Sequence, residues 1–413
     1  MSGTPINEIL GPKLPTRVLD VGVANCEHIS LIESNGQHGN FCALSYCWGP
    51  KGAQTMITTR DNIKDRFNGI RFDSLPKTFQ DAVIVTREIG IRYLWIDSLC
   101  IIQGDKIDWA RESAKMAEIY QKAYLVIAAS GAENPAEGCF SNNRRCPYDV
   151  KVPYYSEEGS KEGFMRLSVP AQGQRSPTWG PLSNRGWTLQ EACLARRILH
   201  FMPAGMTWKC GTLSTGERYE FDLQYPEGWE RILQAFSDRE LTYKGDRLAA
   251  LKGLGRAVQE ATHDKYNMGI FESALPEQLL WMTRRKAEKS ECMAEFPSWS
   301  WVSKGGPKSF WTVYGENWQR LRNQINIEPS GVLKVEGFVA ESNIRSTWSD
   351  WIDNDKNEGF YDILLTLECL GRPSRWIVTS PGPARLTGIA IFDDEEFTEV
   401  HILFLMLWKG CYE

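Results

Sequence analysis

The chain has 413 residues, of which 42% are apolar and 24% charged, with 35 glycines and 20 prolines. That balance excludes the disordered and fibrous classes, and at roughly 150 residues per domain the length suits two domains or three small ones. A net charge of -5 leaves no electrostatic footprint for a polyanion, which argues against nucleic acid as a partner.

The longest apolar run, Val400 to Trp408, contains His401 and falls far short of the ~20 residues that a bilayer span needs. No membrane span is expected. Met1 to Leu14 has no basic stretch followed by an apolar core of the secretory kind, so the expected compartment is the cytoplasm or nucleus. Eleven scattered cysteines without a Cys-x-x-Cys pair predict reduced, buried thiols. Sixteen tryptophans are the one excess, and such rings serve either as core or as pocket walls.

In chain order, Leu14 to Ser34 reads as short strands broken by polar turns, and Phe41 to Gly49 as an apolar strand ending in a glycine turn. Pro76 opens a helix in which Phe79, Ala82, Val83, Thr86 and Ile89 recur at helical spacing, and Gly90 stops it. Arg92 to Ile102 is apolar and β-favouring, as expected of a strand covered on both faces. A second helix spans about 107–122, introduced by Asp105 as the acceptor for first-turn amides, and Tyr124 to Ser130 is a further buried strand. This alternation predicts an α/β layer with at least two parallel strands. Thr188 and Glu191 have capping-box spacing for a short helix, and Arg197 to Met202 follows as a strand. The pattern from Trp229 to Arg285 is helical, and from Phe296 onward it is β-like, including Pro297 to Ser303.

Nucleophile-elbow, phosphate-loop, dinucleotide glycine and His-Glu-x-x-His motifs are all missing. Five dispersed histidines, with only His28 near Cys26, predict no metal site. His200 alternates with Ile198 and Met202 and reads as a satisfied core histidine.

Glu112 does not fit its surroundings. It falls on a stripe with Trp109, Met116, Ile119 and Tyr120, opposite a solvated face of Asp108, Arg111, Lys115 and Glu118. A carboxylate there is either satisfied by a buried partner or held as an acid/base group. Asp97 is an acid in a strand expected to be buried; it either caps the next helix or lies where open α/β sheets bind ligands. Ser45, Tyr46 and Trp48, at the end of the first core strand, are candidates to line the same crevice, with Trp109 beside Glu112. Arg185 and Glu191 read as an ion pair plus a cap.

Five segments together resemble the fungal HET (heterokaryon incompatibility) domain family: Leu14 to Gly22, Cys42 to Gly49, Leu75 to Gln103, Asp108 to Ser130 and Arg185 to Phe201. Phe236 to Leu254 and Pro297 to Ser303 resemble the region that follows such domains. The resemblance implies a TIR-like open sheet with flanking helices over residues 1–220 (core about 40–202). A helical and then β-rich region, 221–413, is expected to pack on it. It implies non-self recognition and cell death and, through the TIR likeness, NAD hydrolysis by a helix glutamate, a role that falls on Glu112 with Asp97 nearby. Gly104 before Asp105 departs from the family's acidic pair, and the chain ends at Glu413 where relatives often continue.

Two alternatives stay open. One is a cofactor-free cyclase of secondary metabolism acting on an apolar intermediate, with orientation in place of a nucleophile or metal. The other is an interaction module that associates with itself or with protein partners through exposed aromatics. No cofactor is required by any of these readings, NAD entering only as a substrate.

Overall fold

A computed structural model of the chain describes residues 11–22, 27–50, 56–140, 149–155, 160–168, 180–203, 205–216, 228–279, 281–284, 296–297 and 299–310, together with the strands 325–327, 333–335, 339–345, 376–379, 386–390 and 402–405. It divides into two compact units, Met1–Tyr225 and Pro226–Glu413.

The first unit opens with β1 (Arg17–Asp20), β2 (His28–Glu33) and β3 (Phe41–Ser45), followed by the short helix α1 (Ile63–Asn68) and β4 (Ile70–Arg71). Next come α2 (Lys77–Glu88), β5 (Tyr93–Trp95), the single turn α3 (Asp97–Cys100), α4 (Lys106–Ser113), α5 (Met116–Lys122) and β6 (Leu125–Ala128). A hairpin of β7 (Asp149–Tyr155) and β8 (Lys161–Ser168) precedes α6 (Trp187–Leu194), β9 (Arg197–Met202), β10 (Gly205–Cys210) and β11 (Ser214–Gly216).

Nine of these strands form one mixed sheet in the order β11-β10-β9-β6-β3-β5-β1-β2-β4. The four inner strands β9, β6, β3 and β5 are parallel, and antiparallel strands extend the sheet on both sides. Every residue of β3 (Phe-Cys-Ala-Leu-Ser) and of β6 (Leu-Val-Ile-Ala) is buried, because helices on both faces of a parallel sheet leave no wet side. The α/β fold class expected from the sequence is therefore present.

The connections reverse direction beside β3. From β3 the chain runs through α2 to β5 on one side, then crosses back to β6 on the other side of β3. This reversal beside β3 is a topological switch point, where the carboxyl ends of parallel strands diverge.

Local sequence accounts for most boundaries. α2 starts after Pro76, buries Phe79, Ala82, Val83 and Thr86 and ends before Gly90, while Ile89, placed on the same spacing by the sequence, caps the helix and is exposed. Asp105 caps α4 by accepting from Ile107 N at 3.0 Å and Asp108 N at 3.2 Å. Two expectations are corrected. The expected strand 92–102 is only three residues long, since the chain turns into α3 at Asp97. The expected helix 107–122 is two helices, with a break at Ala114 and Lys115.

The break changes which residues face inward. Met116, Ile119 and Tyr120 are buried as expected, and Tyr120 packs edge-on against Trp95 with ring centroids 5.7 Å apart. Trp109, placed on the same stripe by the sequence, is 40% exposed instead. Asp108, assigned to the solvated face, is buried against Arg17, with which it forms an ion pair.

The second unit contains α7 (Trp229–Ser237), α8 (Arg247–Thr262), β12 (Tyr266–Asn267), β13 (Ile270–Phe271), α9 (Leu275–Leu279), β14 (Trp281–Thr283) and β15 (Lys308–Phe310). β16 (Ile325–Ile327) pairs with β17 (Leu333–Val335). A four-stranded sheet is built from β18 (Val339–Arg345), β19 (Trp376–Thr379), β20 (Leu386–Ala390) and β21 (Ile402–Leu405). Trp229 packs edge-on against Tyr266 and Phe271, and both Trp229 and Trp301 donate from Nε1 to the carbonyl of Gly269. Gly269 has φ +89° and a Cβ there would lie 2.5 Å from Trp301 Nε1, so no other residue fits this approach. Residues 301–303, expected to be β-like, form a short 3-10 turn capped by Ser300 Oγ. The helical expectation for 229–285 is met by α7, α8 and α9 but not at 266–267, 270–271 and 281–283, which are strands, and positions 280 and 285 fall outside the described residues.

Candidate functional site

The site is assembled at the carboxyl ends of β3 and β5. β3 ends in Ser45 and continues into Tyr46, Cys47 and Trp48, while β5 leads through Ile96 to Asp97 and Ser98. Trp48 donates from Nε1 to Asp97 Oδ2 at 2.9 Å, and the amide of Ser98 donates to Asp97 Oδ1 at 2.6 Å. Of the residues singled out in the sequence, Ser45, Tyr46, Trp48 and Asp97 are thus brought to one place.

The other side of the cluster comes from α6 and the turn before it. Gly180 lies so close to the end of β6 that a Cβ there would stand 2.0 Å from the carbonyl oxygen of Ser130. This approach seats the turn at Pro181–Asn184, after which Arg185 donates to the Tyr46 carbonyl at 2.5 Å. α6 then brings Glu191, which accepts a hydrogen bond from Ser45 Oγ at 2.5 Å.

The cap expected here does not form. α6 is entered through Gly186 without a side-chain cap, and Thr188 Oγ1 donates to the carbonyls of Leu182 and Arg185. Glu191 is released from the helix end and faces the sheet, only 6% exposed. The sequence carried a usable signal, since Glu191 sits in a short helix whose Thr188, Leu189 and Gln190 are also buried. A lone carboxylate on a helix buried on nearly all sides needs a partner or a function.

The electrostatics follow from burial. Glu191 is pushed up to about 7 by desolvation, with the Asp97 charge adding to the rise and Ser45 and Arg185 opposing it. Asp97, half-buried, is also raised by desolvation, against the pull of Arg185, Trp48 and the Ser98 amide. The two carboxyls feel each other, and the Arg185 guanidinium favours the ionised form of both. Two buried hydroxyls, Tyr46 Oη and Ser98 Oγ, adjoin Asp97 and make no hydrogen bond of normal geometry. Cys47, beside them, is held as a thiol, with burial pushing it up to about 11.

Glu112 occupies a different setting. It is 2% exposed, as its place in the sequence suggests, and Oε1 accepts from Arg111 Nε at 2.8 Å and Lys115 Nζ at 3.2 Å. Lys115 also donates to Thr16 Oγ1 at 2.8 Å. Arg17 reaches the Cys100 carbonyl at 2.7 Å and pairs with Asp108, which also accepts from the Ile102 amide at 2.8 Å. Burial raises Asp108, but Arg17, that amide and Arg111 outweigh it and hold the carboxyl below its ordinary value. This network ties β1 to α4. None of the hydrogen bonds just given for Ser45, Asp97 or Glu191 runs to it, and Trp109 stands at the surface rather than in the crevice.

His200 is buried and hydrogen-bonded through Nδ1 to Ser130 Oγ at 2.8 Å, with burial lowering it to about 4, which fits a satisfied core histidine. Among the described residues no group of three or more His, Cys, Asp or Glu side chains is arranged to hold a metal ion, and no helix is long and apolar enough to cross a membrane.

Residues 41–191 match the model of the heterokaryon incompatibility protein (HET) family. The match covers β3 through Glu191, which takes in every residue of the crevice. Comparison with curated proteins and with solved structures returns no match.

Proposed function

We propose that residues 41–191 form a HET domain that serves heterokaryon incompatibility by binding and hydrolysing a nicotinamide dinucleotide in the crevice between β3, β5 and α6. The observation that carries this reading is the pairing of two perturbed carboxyls, Asp97 and Glu191, around Ser45 and Arg185 at the switch point of a parallel sheet. In this reaction the bond from ribose C1′ to the pyridinium nitrogen breaks, its electron pair goes to nicotinamide, and a water oxygen bonds to C1′. Positive charge develops on the ribose as the bond breaks, and a nearby carboxylate in a partly dry site stabilises it. A carboxyl near 7 is matched to take the water's proton at neutral pH.

Glu191 and Asp97 are the acid–base and charge-stabilising groups in this account. Ser45 orients Glu191, and Trp48 forms the wall beside Asp97. The TIR likeness would instead give the chemistry to Glu112, whose carboxylate is engaged by Arg111 and Lys115. Expressing the full chain in a fungal host and following NAD content and viability separates the two. The intact chain should deplete NAD and kill, Glu191→Gln should abolish both effects, and Glu112→Gln should spare them if the protein accumulates normally. Depletion that survives Glu191→Gln and Asp97→Asn but not Glu112→Gln would transfer the role to the helix glutamate.

A further inference from the structure

The carboxyl of Glu191 is held by more than Ser45. β5 leaves the sheet after Trp95, so its pairing with β3 stops at Ala43, one residue before Leu44. There Tyr120 of α5, buried and packed edge-on against Trp95, donates from Oη to the Leu44 carbonyl at 3.1 Å. Leu44 is the immediate neighbour of Ser45, whose Oγ donates to Glu191 Oε2 at 2.5 Å. α5 lies against α6, and the Tyr120 hydroxyl bears on the Glu191 carboxyl and favours its ionised form. One phenol proton therefore has two acceptors.

A phenol has a single O–H to donate and an oxygen that also accepts. Burial, with the Glu191 and Asp97 charges adding to it, holds Tyr120 well above its ordinary value, so it remains a donor throughout the neutral range. We infer that Tyr120 is a positioning residue for Glu191: its proton points to the Leu44 carbonyl while Glu191 is protonated and turns to the carboxylate when Glu191 is ionised. In the protonated state the Glu191 O–H donates to the phenol oxygen in return, so the carboxyl keeps its place while it takes up and releases a proton. The other groups around this carboxyl are Asp97 from α3, Arg185 from the turn before α6 and Cys47 from the segment after β3, and Tyr46 acts on Tyr120. All of these stay when only the Tyr120 hydroxyl is removed. The inference rests on the dinucleotide reading for the reaction that Glu191 serves, and not for the hydrogen bond itself.

The test is the melting temperature of the full chain from about pH 5 to about pH 9 for the wild type, Glu191→Gln, Tyr120→Phe and the double variant. The difference that Glu191→Gln makes in each background isolates the titration of Glu191. Its stabilising share falls as pH rises and levels off at the folded value, about 7 with Tyr120 present. In the Tyr120→Phe background the levelling should move up by about one pH unit or more, the effect of losing a hydrogen bond to a charged group. A loss of stability that is the same at every pH, with the levelling unmoved, is all that a packing role would give and overturns the inference. If Tyr120→Phe does not fold, the NMR resonance of the Tyr120 ring carbon that bears the hydroxyl is followed instead. It should move as pH passes about 7 in the wild type and stand still in Glu191→Gln, and a resonance that stands still in both overturns the inference. Nicotinamide release from NAD is measured alongside. A moved levelling without release keeps the role of Tyr120 and overturns the dinucleotide reading, whereas release with an unmoved levelling keeps that reading and overturns the role of Tyr120.

Discussion

At the scale of single residues, two buried titratable groups in the first unit pull stability in opposite directions with pH. Glu191 is raised from 4.5 to about 7 in the fold, so the stability it contributes is complete below about 4.5 and is lost as pH rises through about 7. His200 is lowered from 6.5 to about 4, so its contribution is complete above 6.5 and is lost as pH falls through about 4. Glu191→Gln removes the first effect and keeps an acceptor for Ser45. Its melting temperature should gain on the wild type between about pH 5 and about pH 8. A difference that does not change over that range would contradict the burial of an acid at this site. The same residue marks where the sequence misled. The Thr188-x-x-Glu191 spacing reads as a capping box, yet Glu191 turns to Ser45 because α6 lies against the sheet, and only tertiary packing decides that choice. Glu112 shows the converse. Its burial was legible from its neighbours, but its partners Arg111 and Lys115 lie on the supposed wet face and could not be read from a helical stripe.

At the scale of elements, the parts fixed by local chemistry were readable. α2 needs only Pro76, a run of apolar residues at helical spacing and Gly90, while β3 and β6 announce themselves as unbroken apolar runs. Elements that depend on a long-range contact were not. The break between α4 and α5 carries no proline or glycine. It coincides with Lys115 reaching back to Glu112 and across to Thr16, more than ninety positions away in sequence. The turn at Pro181–Asn184 likewise depends on Gly180 lying against Ser130. Gly180→Ala would drive a Cβ into that backbone carbonyl, and the turn that carries Arg185 towards Tyr46 would have to lift. A loss of about 1–3 kcal/mol, as for an overpacked core, is expected in denaturant unfolding. Gly211→Ala is the control, since a Cβ there meets nothing within 4 Å and should cost little. Equal stability of the two variants would show that the turn is not seated through Gly180.

At the scale of the molecule, the surplus of tryptophan finds several uses. Trp95 is a core residue of β5, Trp229 and Trp301 organise the second unit around Gly269, and Trp109 is largely at the surface. Trp48 alone among these reaches a carboxylate of the crevice. The HET match and the crevice coincide in the first unit, whereas Pro226–Glu413 forms a unit of its own beyond the matched residues. The functional account therefore stands or falls on the first unit's crevice. Nicotinamide release from NAD by the purified full chain, measured for the wild type, Asp97→Asn, Glu191→Gln and Glu112→Gln, tests it most directly. The account predicts release by the wild type, its loss by about a hundredfold or more in Asp97→Asn and Glu191→Gln, as for removal of an acid–base or charge-stabilising group, and its retention in Glu112→Gln. No release by a folded wild-type chain, or loss confined to Glu112→Gln, would contradict it.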